Sequence, residues 1–259
     1  MTPAPSRAFC FAESRLTIGC MNPRHSMALA TIGAWLVTQA LPATSQEYPL
    51  ESAKGLTLVD VQAAPATLDG KRGLRVIIAP EAKARLAQAT AGQPASPEQL
   101  ALIDGTDFTN GVIEAEIAGA PAPDAPPGAR GFVGIAFRVK PDLRTYDAFY
   151  LRPTNGRADD QLRRNHSAQY ISHPHWPWFR LREETPGKYE SYVDLEAGKW
   201  IRIRIEVQGE RARLFVHGQS QPTLVVNDLK TGPEARGGVA LWIDSGTVAH
   251  FRAVRVTRN

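Results

Sequence analysis

The chain has 259 residues, 43% of them hydrophobic and 22% charged, with 30 Lys+Arg against 26 Asp+Glu and two cysteines. The formal charge of +4 is small and dispersed, which argues against a nucleic-acid partner. Past residue 45 no segment is apolar enough to span a membrane. Both cysteines, Cys10 and Cys20, lie near the N terminus, so the remainder holds no disulfide staple, thiol nucleophile or cysteine zinc site.

Residues 1–45 read as an upstream extension followed by a secretory signal peptide. Met21 to His25 is a short basic stretch, Met27 to Leu41 is mostly apolar, and Ala43-Thr44-Ser45 sets small residues before a cut at Ser45/Gln46. The alternative is an uncleaved anchor. Cleavage predicts an exported protein, periplasmic or extracellular, whose mature part carries 27 Lys+Arg against 25 Asp+Glu. The mature part reads as one domain over residues 48–259, long enough to bury a core without disulfides.

In chain order, Leu56–Val61 and Leu74–Ile78 have strand composition, Glu81–Thr90 is helix-like, and Ser96-Pro97-Glu98-Gln99 has the form of a capping box. Strand periods then dominate. They fall at Val112–Ile117, Val133–Val139, Tyr146–Arg152, Ala168–Ile171, Trp178–Arg182, Tyr189–Val193, Ile201–Val207, Ala212–His217, Thr223–Val226, Val239–Asp244 and Ala249–Val256. Ile201, Ile203, Ile205 and Val207 share one face and Arg202, Arg204 and Glu206 the other, the pattern of a half-buried antiparallel strand. Gly119–Gly128 is a proline-rich surface loop. Many short strands with turn signals between them predict an all-β, antiparallel two-sheet sandwich of jelly-roll form, with a short helical insertion before the main sheets.

One stretch differs in kind. Tyr146–Glu183 holds six arginines, three histidines, two tryptophans, three tyrosines and four acids in 38 residues. Concave sites for polar ligands use such a mixture, aromatics as apolar platforms and polar groups to fix orientation. Tyr146, Ala148, Tyr150 and Arg152 share a strand face, as do Gly134, Ala136 and Arg138 on the preceding strand. Small residues beside Arg and Tyr predict a groove floor; the alternative is an outer face carrying surface arginines. Asp159 and Asp160 have the chemistry to ligate Ca²⁺ or to bond sugar hydroxyls, or else to pair with Arg163 and Arg164. His173 and His175 form a His-x-His pair without a convincing third ligand, so no metal site is assigned. Trp176 is the better sugar platform of the Trp176-Pro177-Trp178 run, while Trp200 and Trp242 read as packing residues. No Gly-x-Ser-x-Gly elbow, phosphate loop or dinucleotide fingerprint is present.

With the strands placed, Phe108-Thr109-Asn110-Gly111-Val112-Ile113-Glu114-Ala115-Glu116 looks like an opening strand. Trp200–Val207 followed by Ala212–Gly218 looks like a hairpin opened by tryptophan and closed by glycine, and Gly237–Trp242 with Ala249–Val256 like a closing pair. On these residues the chain resembles the concanavalin A-like lectin/glucanase superfamily, in its laminin-G-like and 3-keto-disaccharide-hydrolase-like bacterial branches. The resemblance covers residues 106–257. It implies a concanavalin A-like sandwich and a carbohydrate partner, but it transfers no catalytic residue. The Glu-x-Asp-x-x-Glu strand of laminarinase-like enzymes is missing, and Arg130-Gly131-Phe132-Val133-Gly134 stands where the other branch has Asn-Ser-Gly.

The reading is therefore an exported carbohydrate-binding or carbohydrate-processing domain. Tyr150, Arg152, Asn155, Asp159, Arg164, His166, Tyr170, His173 and Trp176 are expected to line the site, and the arginines point to an anionic ligand. Two alternatives stand beside it. One is a glycoside hydrolase or keto-disaccharide-cleaving enzyme with Asp159, Asp160, His166 or Glu183 as acid or base; Glu114, Glu116, Asp147 and Asp244 are further acids. The other is a cell-envelope protein-interaction module. No cofactor is assigned, Ca²⁺ being the one ion with candidate ligands.

Overall fold

The computed structural model describes residues 44–88, 98–244 and 246–259. Residues 1–43 of the leader, both cysteines among them, Thr90, and Ser96 and Pro97 of the capping box lie outside the described residues. In chain order the elements are β1 (Thr44–Tyr48), β2 (Leu56–Val59), β3 (Val61–Leu68), β4 (Lys71–Ile78), α1 (Pro80–Gln88), β5 (Leu100–Phe108), β6 (Gly111–Pro121), β7 (Val133–Val139) and β8 (Tyr146–Leu151). They continue with α2 (Gln161–Asn165), β9 (Ala168–His173), α3 (Trp178–Glu184), β10 (Glu190–Ser191), β11 (Ile201–Gln208), β12 (Arg211–Val216), β13 (Leu224–Val226), β14 (Gly237–Ile243) and β15 (Thr247–Arg258).

Two antiparallel sheets form the expected sandwich. The first runs β13-β12-β11-β6-β15-β4-β3, with β1 also paired to β15; the second runs β10-β9-β8-β7-β14-β5-β2. Alternation explains the first sheet. Ile201, Ile203, Ile205 and Val207 of β11 are buried and Arg202 is exposed, because a pleated strand sends successive side chains to opposite faces. From the second sheet, Phe108, Phe137, Phe149 and Tyr170 form a continuous ring cluster in the core, with neighbouring centroids 5.6–6.3 Å apart.

The second sheet is less legible. Every residue of β7 and of β8 is buried, so its outer face is covered as well. Three expectations need correction. Trp178–Arg182 is not a strand but the start of α3; tryptophan, phenylalanine and leucine between arginines imitate a strand period, while Pro177 opens the helix instead. The run after Glu98-Gln99 is strand β5, not a helix. The Tyr189–Val193 strand contracts to Glu190–Ser191. Strand β3 was not anticipated. A cut before Gln46 would also fall within β1, where Ser45 stands opposite Thr257.

Arg138 leaves the predicted groove floor for a physical reason. Its φ is +57°, and the register of β14 against β7 shifts between Gly238 and Val239. This bulge turns the side chain away from Gly134 and Ala136. The fully buried guanidinium instead donates to the carbonyl oxygens of Thr109 (2.9 Å), Gly209 (2.8 Å) and Gly232 (2.9 Å), tying three turns together.

Candidate functional site

A cavity of about 280 Å³ opens on the outer face of the second sheet. Its floor follows from strand register. Trp242 of β14 pairs with Gly134 of β7, and Gly134 pairs with Tyr150 of β8, so all three lie on one face in a row. One step along, Tyr146 pairs with His173 of β9, and their rings stack at 5.1 Å. Helix α3 supplies the wall. Leu181 anchors it in the core, and Arg182 makes a two-pronged ion pair with Glu190 (2.9 and 2.7 Å). That fixes the helix and leaves Trp178 and Phe179, 41% and 57% exposed, facing outward; both border the cavity.

Polar groups converge on one side of these rings. The Glu98 carboxylate accepts the Tyr146 hydroxyl (2.5 Å) and lies 3.2 Å from His173 Nδ1. The Trp242 indole N–H donates to the same Tyr146 hydroxyl (3.1 Å). Asp244 borders the cavity too. Burial, reinforced by Glu98, raises the Tyr146 phenol well above its ordinary range, and burial raises Tyr150. Both therefore stay protonated and keep their O–H donors at neutral pH.

Of the residues predicted to line a site, Tyr150 and His173 border this cavity and the others do not. Arg152 is 5% exposed and donates to Tyr150 OH (2.7 Å), Gln169 Oε1 (3.2 Å) and the His166 carbonyl (3.0 Å), so it braces the floor from the side. Asn155 is buried and donates to the same His166 carbonyl. Tyr170 points into the core and donates to Asp147. Arg164 lies over the Tyr192 ring and donates to its hydroxyl (2.6 Å). Asp160 caps α2 by accepting the Arg163 N–H; Asp159 is exposed away from the cavity, and Glu183 is exposed on α3. His166 Nδ1 sits 2.6 Å from Glu190, beside Arg182. Burial lowers its pKa against the opposing pull of Glu190.

The tryptophans divide differently around the cavity. Trp176 packs against the core, with Arg180 4.0 Å and Lys230 4.8 Å from its ring centre. Trp178 and Trp242 border the cavity instead. In the sequence Glu98 reads as part of a capping box, and it sits 48 residues before Tyr146, so nothing local points to the cavity. Asp244, one of the further acids, borders the cavity. Glu114 and Glu116 lie on the other sheet, engaged with Arg255, Lys71 and Arg252. Asp147 is buried beside Tyr170, Ser172 and Thr231, and burial raises its pKa. Among the described residues no group of three or more His, Cys, Asp and Glu side chains is placed to hold a metal ion, and no helix is long and apolar enough to cross a membrane.

The fold and site together define an antiparallel β-sandwich with an aromatic-walled, carboxylate-edged cavity on the outer face of one sheet. No protein-family model matches the chain, and no curated protein matches it in sequence. Solved structures similar in fold include the carbohydrate-binding module CBM66 from Bacillus subtilis, at 10% identity over 82% of this chain and 97% of that one, with a TM-score of 0.43. A protein of unknown function with a galectin-like fold from Bacillus subtilis is similar at 14% identity over 83% and 96%, TM-score 0.42. The Bacillus licheniformis β-glucanase is similar at 14% identity over 83% and 98%, TM-score 0.42. Likeness at this level is one of architecture and does not say what this chain binds.

Proposed function

We propose that this chain is an exported carbohydrate-binding domain that holds a sugar ring over the Tyr150–Trp242 floor and against Trp178. The observation that carries this reading is the cavity itself. The stacked Tyr150 and Trp242 rings form its floor, the exposed rings of Trp178 and Phe179 its wall, and Glu98, His173, Asp244 and Tyr146 sit at its edge. The exposed Trp178 indole suits the C–H face of a pyranose, and the edge groups suit its hydroxyls. Export rests on the signal-peptide pattern of residues 21–45.

The ligand class also shifts. No arginine or lysine borders the cavity, and two carboxylates do. The arginines that pointed to an anionic ligand are engaged within the chain, Arg157 with Asp194 and Glu196, Arg163 with Asn155 and the others over rings, so a neutral sugar or an amino sugar is the better match. Calorimetric titration with neutral, amino and uronic-acid oligosaccharides tests this. Binding of a neutral or amino sugar that is lost in Trp178→Ala supports it; binding confined to uronic acids contradicts it.

A second reading, cleavage of the bound sugar, is favoured by one observation: two carboxylates, Glu98 and Asp244, border one cavity. Paired carboxylates are the usual equipment for breaking a glycosidic bond. It replaces Asp159, Asp160, His166 and Glu183 as candidate acids and bases. Turnover of any glycan that is abolished in Glu98→Gln and Asp244→Asn would establish it.

A further inference from the structure

A larger cleft, of about 760 Å³, lies on the opposite side of the sandwich. Its floor is the outer face of the first sheet, where Ile77 of β4 pairs with Val248 of β15. Leu86 of α1 and prolines 123 and 126 of the loop after β6 form its sides. The Lys83–Asp124 ion pair straps helix to loop across it. This volume falls within the ~300–1,000 Å³ typical of small-molecule sites.

The charges bordering the cleft do not cancel. They are Arg75, Lys83 and Asp124. Lys83 and Asp124 neutralise one another. The Arg75 side chain is exposed and forms no ion pair or hydrogen bond with any described residue. The cleft therefore has an apolar body and one net positive charge at one end, since Arg75 stands opposite His250 two positions along from the Ile77–Val248 pair. A planar guanidinium matches a carboxylate with two parallel N–H···O bonds, and the apolar walls match a hydrocarbon tail.

We propose that this cleft binds an amphiphilic monocarboxylate, with its tail against Ile77, Val248 and Leu86 and its carboxylate on Arg75. The inference is independent of the sugar site, which lies on the other sheet.

The test is calorimetric titration of the full chain with dodecanoate below its aggregation concentration, alongside dodecan-1-ol, for the wild type and Arg75→Gln. The expected result is one dodecanoate per chain. Arg75→Gln weakens it about tenfold or more, because a hydrogen bond to a charged group is worth roughly 1.5–3 kcal/mol. Dodecan-1-ol binds wild type correspondingly more weakly. Arg75 is exposed, so an unchanged melting temperature will show that the variant is folded. No dodecanoate binding, equal binding to Arg75→Gln, or equal binding of dodecan-1-ol overturns the proposal.

Discussion

The rings of Tyr150 and Trp242 stack at 4.6 Å with their planes 29° apart, although β8 and β14 are not neighbours in the sheet. Strand β7 runs between them, and the residue between these two rings is Gly134. A side chain there would separate them. The floor of the cavity thus depends on a missing Cβ as much as on the two aromatics.

Gly134→Ala should remove that floor. An added Cβ would meet the Phe149 carbonyl oxygen at 2.2 Å and Tyr150 Cα at 2.6 Å, both unable to move without displacing β8. Overpacking of this kind costs about 1–3 kcal/mol. Denaturant titration should show the lowered midpoint, and near-ultraviolet circular dichroism should show the loss of the Tyr150–Trp242 couplet. An unchanged midpoint would mean that β8 moves freely there.

Arg152→Ala should act through stability and not through a lost ligand contact. The change leaves Tyr150 OH and Gln169 Oε1 without a buried partner, at a cost of about 2–4 kcal/mol. Thermal unfolding without any sugar present checks this. A variant with wild-type stability but no sugar binding would return Arg152 to the ligand-contact role.

Two histidines set the response to mild acid. His166 and His250 both have lowered pKa values, in each case chiefly through burial; Glu190 opposes the shift at His166, and Arg75 adds to it at His250. The unfolded chain takes up these protons first, near pH ~6.5. Stability is therefore whole above that pH and falls as pH drops through the lowered folded-state values. A second loss follows in strong acid. Burial tends to raise Asp228, but hydrogen bonds from Lys188, Lys230 and Tyr189 outweigh it and hold the carboxyl at about 2. That contribution is present above the ordinary aspartate value and lost on approach to pH 2. Melting temperatures from pH 8 to 4 should decline, and the decline should flatten in the His166→Gln, His250→Gln double variant. A flat wild-type profile would contradict the assignment.

How much of this was legible follows from where each period survives. The first sheet has a buried and a solvated face, so Ile201–Val207 announces its strand by alternation alone. In β7 and β8 both faces are covered, and residue class no longer alternates with burial. The sandwich could still be inferred from strand count and turn signals. The site was half legible. Tyr146–Glu183 does contribute Tyr146, Tyr150, His173 and Trp178 to the cavity. Four of its six arginines, however, lie over rings: Arg152 over Tyr150, Arg164 over Tyr192, Arg180 over Trp176 and Arg182 over Trp178. A guanidinium stacks on an indole inside a protein as readily as it binds a ligand, and composition cannot distinguish the two. Glu98 and Asp244 arrive from strand ends far away in the chain, and only the pairing of β5 with β14 brings them to one place.

The most direct test of the sugar-site assignment is calorimetric titration of one glycan panel against wild type, Trp178→Ala, Glu98→Gln and Arg164→Ala. The account predicts saturable binding of a neutral or amino sugar to wild type and to Arg164→Ala, lost in Trp178→Ala and weakened in Glu98→Gln. Binding that persists in Trp178→Ala and Glu98→Gln but disappears in Arg164→Ala would contradict it, as would the absence of binding to any sugar.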